Sequence, residues 1–206
     1  MAITIRKIAC PEPPVGADLM KTGQTTSYRT GDDGDIEAGR DVDFFTLASN
    51  NPFGNTNRFT DELGGATYTN NIVIDWSTYN GTNVLGYYRR LVSSGGVFDY
   101  IWNDAIDLGA SFSIGTFTSG WRLWNKKECE NLVNAETNSG FNYAPFGNAH
   151  GGQIEGQDIW TSTTLKAATA QAWRTRFYGS INYVAKTNSK RVVVVRTFTV
   201  NGTTLT

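Results

Sequence analysis

A single histidine, His150, sits in the glycine-rich run Phe146-Gly147-Asn148-Ala149-His150-Gly151-Gly152. Histidine acts as a general base only with a nucleophile or second acid held beside it, and nothing in the sequence marks one. His150 is therefore read as a loop residue that bonds locally or meets a ligand. The two cysteines, Cys10 and Cys129, fall neither in a Cys-X-X-Cys motif nor beside a plausible Cys/His ligand set. They are expected to be reduced, buried thiols rather than part of a disulfide framework. The run Asp32-Asp33-Gly34-Asp35-Ile36-Glu37 offers oxygen ligands of the kind calcium takes, but without EF-hand spacing or its terminal bidentate glutamate. Asp and Gly are equally what tight turns require. Turn chemistry is the expectation, and calcium at Asp32–Asp35 stays open. No catalytic set, metal site or cofactor is assigned, so the protein is read as non-enzymatic.

For recognition one segment stands out, with an ordinary surface loop as its other reading. Residues 137–158 form a long segment between a helix and a strand, and loops held by a rigid scaffold commonly carry binding. The candidate contact residues there are Tyr143, Phe146, His150, Gln153, Glu155 and Asp158. The rings would give contact area at low entropic cost, and the polar groups orientation.

These loops need a scaffold, and the composition suggests which kind. The 206 residues suffice for one domain with a real core. Hydrophobic residues make up 39%, charged residues 18% and aromatics 13%, with six tryptophans, which suits a β-rich, loop-rich domain more than a helical bundle. The net charge is −1 and the basic residues are scattered, so the basic stripe a duplex binder needs is missing and no nucleic-acid partner is expected. No apolar run approaches the roughly 20 residues of a membrane span, so no insertion is expected.

Residues 1–20 read as an N-terminal arm or anchoring strand: Ala2 to Ile8 alternates, then Pro11, Pro13 and Pro14 end the pairing. Residues 21–206 are the domain. Residues 22–40 read as consecutive turns, 50–57 as a loop, and Thr67–Trp76 as a strand centred on Ile72-Val73-Ile74. Phe98, Ile101, Trp102, Ala105 and Leu108 recur at helical spacing, predicting a helix over Phe98–Gly109 that stops at the glycine. Asn125 with Glu128 three residues later predicts a capped helix burying Cys129, Leu132 and Val133. From Trp173 to Val200 the alternation and turns predict a meander, its four-valine strand buried on both faces and hence central. The expected class is α+β, with two short helices on an antiparallel sheet and long irregular loops.

Three blocks in this order carry a family resemblance: TGQTTSYRTGDDGDIEAG at 22–39, WRLWNKKECENLVN at 121–134, and IWTSTTLKAATAQAW at 159–173 followed by RVVVVR at 191–196. Together they resemble the Lcl-type C-terminal domain of collagen-like bacterial adhesins over about residues 22–198. The resemblance implies a C-type-lectin-like fold and a surface or phage protein. The family's Trp-Arg-Leu-Pro is here Trp-Arg-Leu-Trp, which puts Trp124 at the proline position and raises the prospect of an exposed indole. Trp121, Arg122, Leu123, Glu128, Trp160, Ser162 and Trp173 form the structural motif: Trp121 and Leu123 point inward, Arg122 pairs with Glu128, and Trp160 and Trp173 cover the sheet. The Glu-Pro-Asn or Gln-Pro-Asp triplets of calcium-dependent sugar binding are absent, and Trp102-Asn103-Asp104 falls in the first helix.

The functional expectation is a virion surface protein, a tail, fibre or capsid-decoration component, used for display, adhesion or receptor binding. Without a secretory signal after Met1, it is expected to be made in the host cytoplasm and to reach the virion surface by assembly. The expected partners are other virion proteins through the N-terminal arm, a second and third copy in a homotrimer, and a host surface glycan or protein. The alternatives are a secreted bacterial surface adhesin domain and, more distantly, an enzyme of the formylglycine-generating type, whose reactive cysteine pair Cys10 and Cys129 do not reproduce.

Overall fold

The computed structural model describes residues 24, 26–32, 35, 44–68, 71–137, 139–176 and 179–206. The N-terminal arm at 1–20, Cys10 and much of the 22–40 block lie outside them.

Short β-branched runs build the main sheet. Strands β1 (Phe59–Asp61), β2 (Ile72–Asp75) and β3 (Asn83–Tyr88) pair antiparallel in sequence order, with Phe59 opposite Asp75 and Ile72 opposite Tyr88. The predicted Ile72-Val73-Ile74 strand is β2, and it ends where the Asp75 side chain caps a 3-10 turn, Trp76–Thr78. The long strand β8 (Val194–Asn201) then inserts between β3 and the short β4 (Trp121–Leu123), giving the order β1-β2-β3-β8-β4, with β9 (Thr204–Leu205) folded back on β8. Strands β5 (Trp160–Thr164), β6 (Gln171–Thr175) and β7 (Ile181–Ala185) form a separate antiparallel sheet.

This arrangement corrects the predicted Trp173–Val200 meander. Its first hairpin, β6–β7, belongs to the small sheet, whereas β8 belongs to the large one. The inference that the valines are central holds for Val194 and Val195, which open β8 and have a neighbour on each side; Val192 and Val193 are equally buried but precede the strand. Alternation and turn residues predict strands, but they carry no signal for which strand is the partner. Four consecutive valines need two covered faces, and the middle of the large sheet supplies them.

Helix α1 spans Trp102–Ser111 rather than 98–109. It starts late because the backbone of Tyr100 is already used in reciprocal bonds with Lys190, and Trp102 N–H donates to Lys186 O at 3.0 Å. Phe98 and Ile101 therefore fall outside the helix, where both are more than a third exposed. Gly109 does not stop it. An added Cβ there would lie 2.7 Å from the backbone nitrogen of Leu123, so glycine lets α1 settle directly on β4. Helix α2, Lys126–Glu130, matches its signature: Asn125 accepts from Glu128 N–H, and the Glu128 carboxylate accepts from Asn125 N–H, a complete capping box. Cys129 and Leu132 are buried beneath it, with Val133 half-buried. Among the described residues, these two α-helices with mainly antiparallel sheet make the fold α+β.

The core is aromatic at one end. Phe44, Phe59, Tyr143 and Phe146 contact one another edge-on or tilted, with centroids 5.4 to 6.2 Å apart. Beside them lies a fully buried ion pair. Arg58 meets Asp75 through two bonds of 2.9 Å, donates to the carbonyls of Phe44 and Asn131, and stacks on the rings of Phe44 and Phe59. No helix among the described residues is long and apolar enough to cross a membrane.

Candidate functional site

The 137–158 segment is long, but its large side chains point inward. Phe141 stacks on Trp124, and the Tyr143 hydroxyl donates to Leu132 O. Tyr143, Phe146 and Ile154 are all buried. Tyr143 and Phe146, expected to meet a ligand, are thus core residues. Hydrophobic burial outweighs surface display when a loop must cover an open aromatic core, and each ring carries enough area to decide the matter.

With the rings used inside, polar groups close the loop. The Arg89 guanidinium, buried just past β3, donates to the carbonyls of Pro145 at 3.4 Å and His150 at 3.3 Å. Burial and the neighbouring Arg90 lower its pKa. Asn148 N–H donates to the Glu155 carboxylate at 3.0 Å, and the Asn148 side-chain amide returns a bond to Glu155 O. Gln153 is held twice, N–H to Arg89 O and side-chain oxygen to Leu91 N–H. Asp158 is drawn away from the loop tip by Arg174 and by Lys190 at 3.2 Å.

One shallow cleft results, about 380 Å³, where this loop faces the segment after β3. It is lined by Leu91, Phe98, Asn148, Gln153, Gln157 and Arg191. Phe98 presents an aromatic surface, with Arg191 5.5 Å from the ring centroid and tied to Asp99 at 3.2 Å. Three side-chain amides, each able to donate and accept, surround that ring. Of the six candidate contact residues only Gln153 lines the cleft. Glu155 braces Asn148, and His150 is exposed at the loop tip. Asn148 and Gln157 lie within the 137–158 window without being among those six. Phe98 belongs to the predicted helix stripe, and only the late start of α1 releases it.

No group of acidic, cysteine or histidine residues that could hold a metal occurs among the described residues. Cys129 is fully buried and its thiol is pushed well up by desolvation, the reverse of what a reactive cysteine needs. In the acidic run, Asp32 accepts from the N–H groups of Tyr28, Arg29 and Asp35, and Asp35 accepts from Gly31 N–H; Asp32 lies in a bend, as expected, whereas Asp35 is helical and departs from the run of turns predicted there. These bonds lower the Asp32 pKa, with Tyr28 first.

The structural motif is assembled as follows. Trp121 and Leu123 are buried with Arg122 outward between them, and Arg122 forks onto Glu128. Trp160 is buried and donates to Tyr100 O; Ser162 N–H donates to Trp124 O. Trp173 is only half-buried, edge-on to Tyr183 and 4.9 Å from the Lys126 ammonium. Trp124, whose indole the substitution for proline threatened to expose, has no exposed surface at all, and its indole N–H donates to Trp160 O at 2.7 Å.

Compared with known families, residues 60–196 match the model of the Lcl C-terminal domain. The match takes in the second and third sequence blocks and leaves the 22–39 block outside. No curated protein matches the chain.

Proposed function

Because the chain belongs to the Lcl C-terminal domain family, we propose that it is an adhesin-like recognition domain displayed on a surface. In this reading it is non-enzymatic, has a C-type-lectin-like fold, and serves as a tail, fibre or capsid-decoration protein on a virion. It is anchored through residues 1–20 and assembled as a homo-oligomer, a trimer in the first instance. The loop cleft is the observation that carries the recognition role. An aromatic face, three amides and a guanidinium fixed on hydrogen-bonded loops suit a polyhydroxylated ligand such as a surface glycan. Rings accept the apolar face of a sugar, and amides match its alternating donors and acceptors.

The same chemistry would serve a secreted bacterial adhesin, the second reading that the family supports. Binding of the labelled protein to intact host cells tests recognition, with a Phe98→Ala, Gln157→Ala double variant as comparison. Loss of at least about tenfold in cell binding, with thermal stability unchanged, is the expected result. Equal binding by the variant would remove the cleft from the reading. Electron cryomicroscopy of purified particles separates the two readings: the chain at a particle surface favours the virion role, and its absence there favours the cellular adhesin.

A further inference from the structure

A second cleft, about 590 Å³, lies where the β1–β2 connection, the turn at Ile114–Phe117 and the β8–β9 hairpin come together, and it shares no lining residue with the loop cleft. Its walls include the apolar side chains of Leu63, Ile72, Phe117 and Leu205. Among them stands Glu62. One of its carboxylate oxygens is buried and has no hydrogen-bond partner. No residue lining this cleft carries a positive charge.

The surroundings leave that carboxylate short of a partner. Burial raises its pKa, a hydrogen bond from its own backbone N–H works against that, and the charge of Asp61 next to it raises it further. Asp61 is itself occupied, one oxygen accepting the N–H groups of Leu63 and Gly65. Of the cations beside other lining residues, Arg90 is bonded to the Asn71 side chain, and Arg196 lies over the rings of Phe117 and Phe198 with its own Nη1 buried and unpartnered; neither acts on the Glu62 charge. Buried acceptors in folded proteins are nearly always satisfied, so an orphan carboxylate oxygen in the wall of an open, otherwise mainly apolar cleft is half of a recognition pair. A carboxyl group turns easily about its terminal torsion, which lets the shielded oxygen face the cleft.

We propose that this cleft binds a primary ammonium group carried on an apolar stem, with Glu62 as its counter-ion. The stem lies against Leu63, Phe117 and Leu205. The ammonium brings three donors: Glu62 accepts at least one, and the hydroxyls of Thr116 and Thr204 in the lining offer further acceptors. The ligand is a free alkylamine or the lysine side chain of a partner protein, which present the same chemistry.

The test is an amide-resolved NMR titration of the 15N-labelled protein with n-butylammonium, with Nα-acetyl-lysine amide, and with n-butanol as the uncharged control. The expected result is saturable shifts at Ile72, Phe117 and Leu205 with either ammonium probe, and affinity for butanol lower by about tenfold or more, the difference a hydrogen bond to a charged group makes. Binding of both ammonium probes assigns the site to a lysine side chain; binding of butylammonium alone assigns it to small amines. Glu62→Gln keeps the shape and is expected to abolish the preference for ammonium over butanol. Leu63→Lys, at a position 73% exposed and so tolerant of change, supplies a tethered ammonium and is expected to exclude both probes. The proposal fails if neither ammonium probe shifts these amides, if butanol binds equally well, or if Glu62→Gln retains the preference. None of these outcomes bears on the loop cleft.

Discussion

Arg58 and Asp75 are the charges most committed to the fold. Both are fully buried, and their contacts tie Phe44, β1, the end of β2 and the residue after α2 into one knot. Removing one partner leaves an uncompensated buried charge, so Asp75→Asn is expected to cost about 3–5 kcal/mol in urea denaturation. Trp124 is the apolar counterpart: Trp124→Ala deletes a stacked, hydrogen-bonded ring and is expected to cost about 3–5 kcal/mol. Titratable residues make a separate forecast. Burial raises the Cys129 thiol and the Tyr87 and Tyr143 phenols well above their ordinary values, and Tyr68 to about 12. The folded state thus holds these protons more tightly than the unfolded chain. Stability from them is complete below the unfolded values, about 8.5 for the thiol and about 10 for phenols, and is lost as pH rises beyond them. Denaturation midpoints should be level from neutrality to about pH 8 and fall above it, with Cys129→Ala delaying the onset toward the phenol range.

At the scale of elements, two short helices are fixed by opposite means. Helix α2 is set locally by its capping box, so Asn125→Ala is expected to cost about 0.5–2 kcal/mol, seen as a lower melting temperature. Helix α1 has no side-chain cap and is placed by contact. Propensity alone says that alanine in place of a mid-helix glycine gains up to about 1 kcal/mol. At Gly109 the new Cβ would strike the β4 backbone, so Gly109→Ala should instead destabilise by about 1–3 kcal/mol. A gain in stability from this substitution would show that α1 is free to slide on β4.

For the molecule as a whole, β8 is the central fact. It comes late in the chain, yet it joins β3 to β4 and carries buried Val194, Val195 and Phe198 between them. Amides of β3 and β8 should be the slowest to exchange with deuterium, and those of β7 and β9, each with one neighbour, among the fastest strand amides. The loop cleft depends on the same frame, since Arg89 reaches from the end of β3 to hold the carbonyls on either side of its tip. Arg89→Met should therefore speed exchange across 146–155 while leaving β8 protected.

Local chemistry was legible along the chain. The Asn125–Glu128 cap, the β-branched strand at Ile72–Ile74, the inward alternation of Trp121 and Leu123, and the central place of the valines all follow from neighbours or from period, and all are present. The blocks at 22–39, 121–134, 159–173 and 191–196 together suggest the family, and all but the first lie within the matched residues 60–196. What the chain alone left undecided depends on partners distant in sequence. Tyr143 and Phe146 look like binding residues until Phe44 and Phe59 are brought against them. Phe98 looks like core until Tyr100 pairs with Lys190 and delays the helix. Arg58 and Asp75 carry no local mark of their pairing. Side-chain type and spacing determine what each segment can bury. Which segments meet to bury it is a property of the closed fold, because the free energy of burial depends on area covered and not on position along the chain.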